Sequence, residues 1–304
     1  MDVTTLADQL FFVTAYLEGK AENGSGRAGT GFVYTVPTDR GDANFLVSNK
    51  HVFAGLSELT VRMVRAGDDQ TLQLGSATQI TLTDFNDGLW KGHPDASVDV
   101  AALPLGTIAD AMVGMGAPPF FRSIPSDISL TDITSRTLDS IEEVVFVGYP
   151  NGIYDDKNFT PVVRRGSTAT PISIDYRGEP AFLIDASVFP GSSGSPVFVL
   201  NQGSYTSRNG GIVIGQRFIF LGVLAAVHVR QVVGSLIQLP ATVGVQTSET
   251  LDLGIVYRAQ AIDQTVDLFL EGEGLVRLAS GAEVQEETTP VDEQLAQDIG
   301  TSAE

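Results

Sequence analysis

The stretch PGSSGSPVF, residues 190–198, places three serines within six residues, and one of them could serve as a nucleophile. A hydroxyl is a poor nucleophile at neutral pH unless a base lies beside it and a third group orients that base. Gly, Ser and Pro are also ordinary turn residues, so the stretch alone is equally typical of a turn before a buried strand. The chemistry therefore requires a histidine and an acid elsewhere in the chain.

Few residues could serve as the base that activates the serine, because the chain has only three histidines. His51 follows the apolar run FLVSNK, at a predicted strand end from which a rigidly held side chain can still reach a cleft. His93 lies in the polar loop WKGHPD and is interpreted as solvated. His228 follows LGVLAAV and is interpreted as a hydrogen-bonded residue of a buried strand. We therefore predict that His51 is the base.

The acid candidate is Asp99, which interrupts the apolar run SVDVAALPL that predicts a buried strand. A buried carboxylate is costly unless it is paired, and a histidine partner would explain it. Asp95, in the polar loop HPDAS, is the alternative acid, although an aspartate in such a loop needs no partner. The predicted set occurs in the order His51, Asp99, Ser193, which is the chymotrypsin order. The α/β-hydrolase elbow G-x-S-x-G does not fit, because it requires glycine where this chain has Ser195.

Composition limits the classes of protein to which the chain can belong. Its 304 residues are 43% hydrophobic, which is typical of a globular protein, and no cysteine is present to form a disulfide or a thiolate site. The net charge of -19 argues against nucleic acid or an anionic membrane as a partner. No secretory signal and no apolar run long enough to span a bilayer are recognised. We expect a cytoplasmic protein with no cofactor and no metal.

Short strands bounded by Gly, Pro, Asn or Asp dominate the chain and predict an all-β barrel or sandwich. One amphipathic helix is predicted in AIDQTVDLFLEG, ending at Gly272. The segment GAPPFFRSIPSD is interpreted as a connector. The C-terminal residues 273–304 are rich in acids and poor in apolar residues, which predicts a disordered tail.

These motifs together resemble the trypsin-like serine peptidases of the chymotrypsin fold. The resemblance is carried by GTGFVY, SNKHV, VDVAALPL, VGYPNG and LGVLAAV, and by IDASVFPGSSGSPVF, which is most similar to the bacterial high-temperature-requirement branch. It implies two six-stranded antiparallel β-barrels with a C-terminal helix. The implied division is a first barrel over 1–115, a connector over 116–127, a second barrel over 128–258, a helix over 259–272 and the tail over 273–304. No PDZ module is expected after the helix.

The resemblance also implies a role for each candidate residue. Ser193 would attack the scissile carbonyl, His51 would take and return its proton, and Asp99 would orient the imidazole. The backbone amides of Gly191 and Ser193 would form the oxyanion hole. The implied function is that of a serine endopeptidase acting on proteins or peptides.

The substrate pocket is also assigned through the resemblance. Ser187 falls at the pocket floor, and Ala225, Ala226 and Val227 fall on the wall. A neutral pocket of this kind favours small or medium apolar side chains, because a buried cation would lack a counter-charge. Asp185 is the alternative floor residue, which would favour basic side chains.

Secreted members of the family carry an Asp immediately before the nucleophile, where it pairs with a newly cleaved N-terminus. This chain has Ser192 there, so activation of that kind is not expected. Two other functions stay open on the same fold: a peptide-binding or chaperone-like module without hydrolysis, and a dormant effector switched on by an activating protein partner.

Overall fold

The computed structural model describes residues 1–67, 69–238 and 241–278. Five α-helices occur in these residues, together with 3₁₀ turns at Ser126–Ile128 and Pro150–Gly152. The helices are α1 (Leu6–Leu10), α2 (Lys50–Phe53), α3 (Gly106–Gly114), α4 (Asp132–Ser135) and α5 (Ala259–Glu273). The strands are β1 (Thr14–Ala21), β2 (Gly26–Thr38), β3 (Gly41–Ser48), β4 (Leu56–Ala66), β5 (Leu72–Thr83), β6 (Lys91–Gly92), β7 (Ala101–Pro104), β8 (Ile124–Pro125), β9 (Glu143–Gly148), β10 (Val162–Thr168), β11 (Ala181–Asp185), β12 (Pro196–Asn201), β13 (Ser204–Thr206), β14 (Ile212–Ile214), β15 (Arg217–Gln238) and β16 (Ala241–Arg258).

The N-terminal half forms an eight-stranded sheet in the order β5-β4-β1-β2-β3-β7-β6, and β8 pairs with β2 in parallel. Its own core contains Leu17, Val33, Leu46, Phe53 and Leu59. Within the described residues, the end strands β5 and β6 do not pair with each other. The closed six-stranded first barrel implied by the resemblance is therefore not confirmed.

The C-terminal half forms a closed six-stranded barrel in the order β10-β11-β16-β15-β12-β9, and β9 closes it by pairing with β10. Its interior is apolar, with Phe146, Phe182, Val197, Leu221 and Val256 among the buried residues. The mostly β content, this barrel and the helix that follows it confirm that part of the predicted fold. Strands β13 and β14 form a separate hairpin.

A third apolar core joins the two halves. Strand β2 supplies Phe32, Tyr34 and Val36 to this core, and barrel residues such as Phe198 and Phe220 pack against them. Helix α5 covers the same core. Because β2 also contributes to the interior of its own sheet, residues 29–36 are buried on both faces, which explains why GTGFVYTV contains no charged residue.

The C-terminal helix differs from the prediction at its end. Helix α5 buries Ile262, Val266 and Leu270 on one face, as its periodicity predicts, but it continues past Gly272 to Glu273. Gly274 ends the helix instead, because it adopts the left-handed conformation with φ 61° that glycine tolerates.

The first residues of the predicted tail lie against the sheet. Arg277 forms ion pairs with Asp263 and Asp267 of α5, and the Leu278 amide donates to the Pro37 carbonyl. The rest of the predicted tail, residues 279–304, lies outside the described residues. Among the described helices, none is long and apolar enough to cross a membrane.

A buried ion pair inside the barrel half gives a stability prediction. The side chains of Arg217 and Glu142 are 8% and 7% exposed. Replacing Arg217 by Met leaves a buried carboxylate without its partner, so Arg217→Met should lower the free energy of unfolding by about 3 kcal/mol in urea denaturation. Lys20→Met, which breaks the exposed pair with Glu58, should cost less than about 0.5 kcal/mol. Equal small losses would contradict the role assigned to the buried pair.

Candidate active site

His51 lies in the short helix α2, just after β3. Its ring Nδ1 lies 2.5 Å from Asp99 Oδ2, and its backbone N–H donates to Asp99 Oδ1 at 3.1 Å. Because an ionised carboxylate only accepts hydrogen bonds, neutral His51 carries its proton on Nδ1 and keeps a free lone pair on Nε2. His51 is therefore a potential base whose ring is oriented by an acid.

The segment that contains Asp99 is held by both halves of the molecule. It lies in the turn before β7, not within a buried strand as predicted, because the ladder of that strand begins only at Ala101. The Asn49 side chain donates to the Asp99 carbonyl at 2.7 Å. From the barrel, the Tyr257 hydroxyl lies 2.8 Å from the Ser97 carbonyl, and burial raises its pKa, which keeps it a neutral donor.

Asp95, the alternative acid, and His93, the second histidine, form hydrogen bonds outside the candidate site. Asp95 Oδ1 accepts hydrogen bonds from the amide and the hydroxyl of Ser97, both at 2.9 Å, and closes its own loop. His93 is buried, not solvated as predicted, because its Nε2 meets Gln264 of α5 at 2.7 Å. Of the two acids considered, Asp99 is the one that contacts His51. His228 has its side chain outside the described part of the structure.

Of the three serines in the opening stretch, only Ser193 reaches the surface. Ser192 and Ser195 are 1% and 0% exposed, and neither hydroxyl has a hydrogen-bond partner among the described residues. Ser193 is half-buried, and its Oγ donates to the Ala225 carbonyl at 3.1 Å. No hydrogen bond joins Ser193 Oγ to His51 in the described part of the structure, so attack by Ser193 would first require the hydroxyl to leave the Ala225 carbonyl.

The turn that precedes Ser193 is anchored by its carbonyl oxygens. The Pro190 carbonyl accepts from the Asn151 amide at 2.5 Å. In a trans peptide the N–H points opposite to the C=O, so the Gly191 amide of the same peptide points away from Asn151. Gly191 has φ 87°, and a Cβ there would lie 2.5 Å from the Tyr149 carbonyl oxygen. Glycine is therefore required at this position by both backbone conformation and space.

The peptide between Ser192 and Ser193 is held in a similar way, because the Ser192 carbonyl accepts from the Ser195 amide at 3.0 Å. Neither the Gly191 amide nor the Ser193 amide donates to an acceptor among the described residues. The turn thus offers two unpaired N–H donors beside the serine hydroxyl. Such a pair can bind an oxyanion.

Thr30 is a buried contact of the site that the sequence analysis did not identify. Its Oγ1 donates to the Gly191 carbonyl at 2.9 Å and accepts from the Tyr149 amide at 3.1 Å. Its backbone N–H donates to the Ser193 carbonyl at 2.9 Å, and its own carbonyl accepts from Ser48 Oγ at 2.7 Å. The signal in the sequence is the GTG of GTGFVY, whose glycines mark a close approach of chain segments.

The structure describes the side chains of only some of the predicted pocket residues. Ser187 is half-buried and lies between β11 and residues 190–195, which we call the nucleophile turn. Ala225 is buried, and its carbonyl accepts the hydrogen bond of the Ser193 hydroxyl. The backbones of Ala226 and Val227 continue β15, but their side chains lie outside the described part of the structure. The alternative floor residue, Asp185, is exposed at the end of β11. Among the described residues, no group of three or more His, Asp or Glu side chains could hold a metal ion.

Residues 29–205 match the sequence profile of the trypsin-like peptidase domain, and this match spans more than half of the chain. The chain therefore belongs to the family of trypsin-like peptidases. As a member of that family it is a serine protease. No match to a curated protein sequence was found.

The chain is also similar to solved structures of the Rv3671c protease from M. tuberculosis. The active form is 20% identical, with 90% of this chain and 86% of that chain covered and a TM-score of 0.41. An inactive form is 20% identical, with 85% and 89% covered and a TM-score of 0.40. An inactive serine-to-alanine mutant is 17% identical, with 88% and 90% covered and a TM-score of 0.41.

The close packing at Gly191 can be tested directly. Gly191→Ala should lower the free energy of unfolding by about 3 kcal/mol, because it combines a left-handed backbone with a collision on the Tyr149 carbonyl. Gly24→Ala is the matched control: Gly24 has φ 80°, but a Cβ there meets no atom within 4 Å. This control should cost about 1 kcal/mol, from backbone strain alone. Equal losses in thermal unfolding would show that the turn is not tightly packed.

Proposed function

We propose that the protein is a serine endopeptidase in which Ser193 is the nucleophile, His51 the general base and Asp99 the group that orients it. The observation that carries this proposal is the pair of unpaired amides, at Gly191 and Ser193, beside the one serine of the turn that reaches the surface. The short contact between the imidazole of His51 and the carboxylate of Asp99 supports it.

The proposed reaction begins when Ser193 Oγ forms a bond to the carbonyl carbon of the scissile peptide, while its proton passes to His51 Nε2. The carbonyl oxygen becomes an oxyanion that accepts hydrogen bonds from the amides of Gly191 and Ser193, each worth about 3 kcal/mol in such sites. His51 then gives the proton to the leaving amine as the carbon–nitrogen bond breaks, and an acyl-enzyme is left. Water repeats the sequence, releases the acid and restores Ser193.

One observation also favours a second candidate function, in which the isolated protein is inactive. The Ser193 hydroxyl donates to the Ala225 carbonyl in this structure, and that hydrogen bond must break before the proton can pass to His51. A protein partner that binds near β15 could shift this equilibrium, and the dormant effector is the form of the proposal in which such a partner is required. Labelling of the isolated protein by a fluorophosphonate would exclude that requirement.

The roles of Ser193 and His51 are tested by single substitutions. Ser193→Ala and His51→Ala should each abolish cleavage of a protein substrate such as casein, because both side chains act in one proton-transfer unit. Both variants should keep the melting temperature close to that of the unmutated protein, since neither side chain is in an apolar core. Ser192→Ala is the matched control and should keep its activity, because Ser192 is buried and only its neighbour reaches the surface. Retained cleavage in Ser193→Ala would overturn the assignment.

We further propose a neutral pocket formed by Ser187 at its floor and Ala225 to Val227 on its wall, with preference for small or medium apolar side chains. The support is chemical: Ser187 carries no charge, and an apolar side chain gains about 25 cal/mol for each Å² removed from water. From the segment IDASVFPGSSGSPVF we also propose closeness to the high-temperature-requirement branch of the family.

A peptide library tests the proposed pocket. The protein should cut after Val, Ala or Leu and disfavour Lys and Arg, because a buried cation without a counter-charge costs several kcal/mol. Ser187→Asp should shift the preference toward basic residues, whereas Ser204→Asp, exposed in the separate β13–β14 hairpin, should not. Cleavage mainly after Arg by the unmutated protein would instead assign the floor to Asp185.

A further inference from the structure

The nucleophile turn needs an anchor other than the usual carboxylate. Ser192, which immediately precedes the nucleophile, cannot form an ion pair, and its buried hydroxyl has no hydrogen-bond partner among the described residues. Gly191 nevertheless adopts a left-handed backbone with φ 87°, against close contacts from the 149–152 segment. Some other group must hold this turn in place.

Thr30 supplies contacts of the required kind from the opposite half of the molecule. It is 0% exposed, and its hydroxyl both donates to the Gly191 carbonyl and accepts from the Tyr149 amide. Tyr149 belongs to the segment whose Asn151 amide holds the Pro190 carbonyl. One hydroxyl therefore links the turn to the segment that orients the peptide containing the Gly191 amide.

The packing around Thr30 leaves little room for another arrangement. A Cβ on Gly148 would lie 2.6 Å from Thr30 Oγ1, and a Cβ on Gly194 would lie within van der Waals overlap of the Thr30 carbonyl oxygen. Glycines on both sides thus let three chain segments meet at this threonine. Removing the hydroxyl would leave a buried N–H and a buried C=O unpaired, which favours displacement of the segments that carry them.

We propose that the Thr30 hydroxyl is a positioning group for the oxyanion hole, holding the Gly191 amide in the direction needed to bind a developing oxyanion. This inference rests on the proposed catalytic role of Gly191 and Ser193. Thr30 touches neither substrate nor the reacting atoms, and it acts through the Gly191 carbonyl and the Tyr149 amide. Its loss affects the rate of the chemical step more than the binding of a substrate.

The experiment measures the kinetics of labelling by a fluorophosphonate, separated into the maximal rate kinact and the half-saturating concentration KI. Thr30→Val keeps the side-chain shape but can neither donate nor accept a hydrogen bond. Its kinact should fall by about tenfold or more while KI changes by less than about twofold, because phosphonylation uses the oxyanion donors and initial binding does not. Thr30→Ser restores the hydroxyl, so its kinact should lie within about threefold of the unmutated value.

Thr35→Val is the matched control, with the same substitution on the same strand β2. The Thr35 hydroxyl donates to Asn44 Oδ1 at 2.6 Å, and neither residue belongs to the nucleophile turn. Its kinact should be unchanged even if its melting temperature falls as much as that of Thr30→Val. If valine at position 30 prevents folding, Thr30→Ala takes its place in the comparison with Thr30→Ser.

The outcomes separate this inference from the proposed function. Labelling of Thr30→Val or Thr30→Ala with the kinact of Thr30→Ser would overturn the positioning role alone. A rise in KI with kinact unchanged would overturn it as well. Absence of labelling in the unmutated protein, matched by Ser193→Ala, would overturn the proposal that the isolated protein is an active peptidase, and with it the inference that depends on this activity.

Discussion

The burial of strand β2 on both faces is the constraint on which the arrangement of the candidate active site depends. One face of β2 fills the interior of the first sheet, and the other packs Phe32, Tyr34 and Val36 against the barrel. The same strand carries Thr30 to the nucleophile turn. The apolar contact between the two halves therefore also sets the distance between the imidazole on one side and the serine on the other. A change that separates the halves would disrupt this site even if each half kept its strands.

Among the described residues, hydrogen bonds hold the nucleophile turn, and no ion pair contacts it. Four successive carbonyl groups, from Pro190 to Ser193, each accept a hydrogen bond, and the donors come from three different segments. Because each peptide is planar and trans, fixing its carbonyl also fixes the direction of its amide. The amides of Gly191 and Ser193 are left without acceptors among the described residues, so the turn is organised before any substrate binds. Such preorganisation is what makes oxyanion stabilisation effective.

The sequence led to the pair His51 and Asp99, which the structure shows in contact, but not to the local structure around either residue. The order and spacing of His51, Asp99 and Ser193 led to three residues of which the structure brings two into direct contact, while the third bonds to Ala225. The helix that carries His51 was not predicted, because four residues after a strand give no periodic signal.

Thr30 could not be found from the sequence, because the importance of its hydroxyl lies in contacts with residues more than a hundred positions away. A Gly-Thr-Gly triplet shows that chain segments approach closely, but it does not show which segments they are. The end of helix α5 was misplaced for a related reason. Both Gly272 and Gly274 are plausible stops in the sequence, and only the three-dimensional path of the chain after Glu273 distinguishes them.

The central claim is that Ser193 is the one activated hydroxyl of the turn, and mapping a covalent adduct tests it most directly. The purified protein would be treated with a fluorophosphonate, digested, and sequenced by tandem mass spectrometry across residues 190–198. The account predicts a single adduct on Ser193, formed in the unmutated protein and lost in His51→Ala. An adduct on Ser192 or Ser195, or one on Ser193 that forms equally fast without His51, would contradict it.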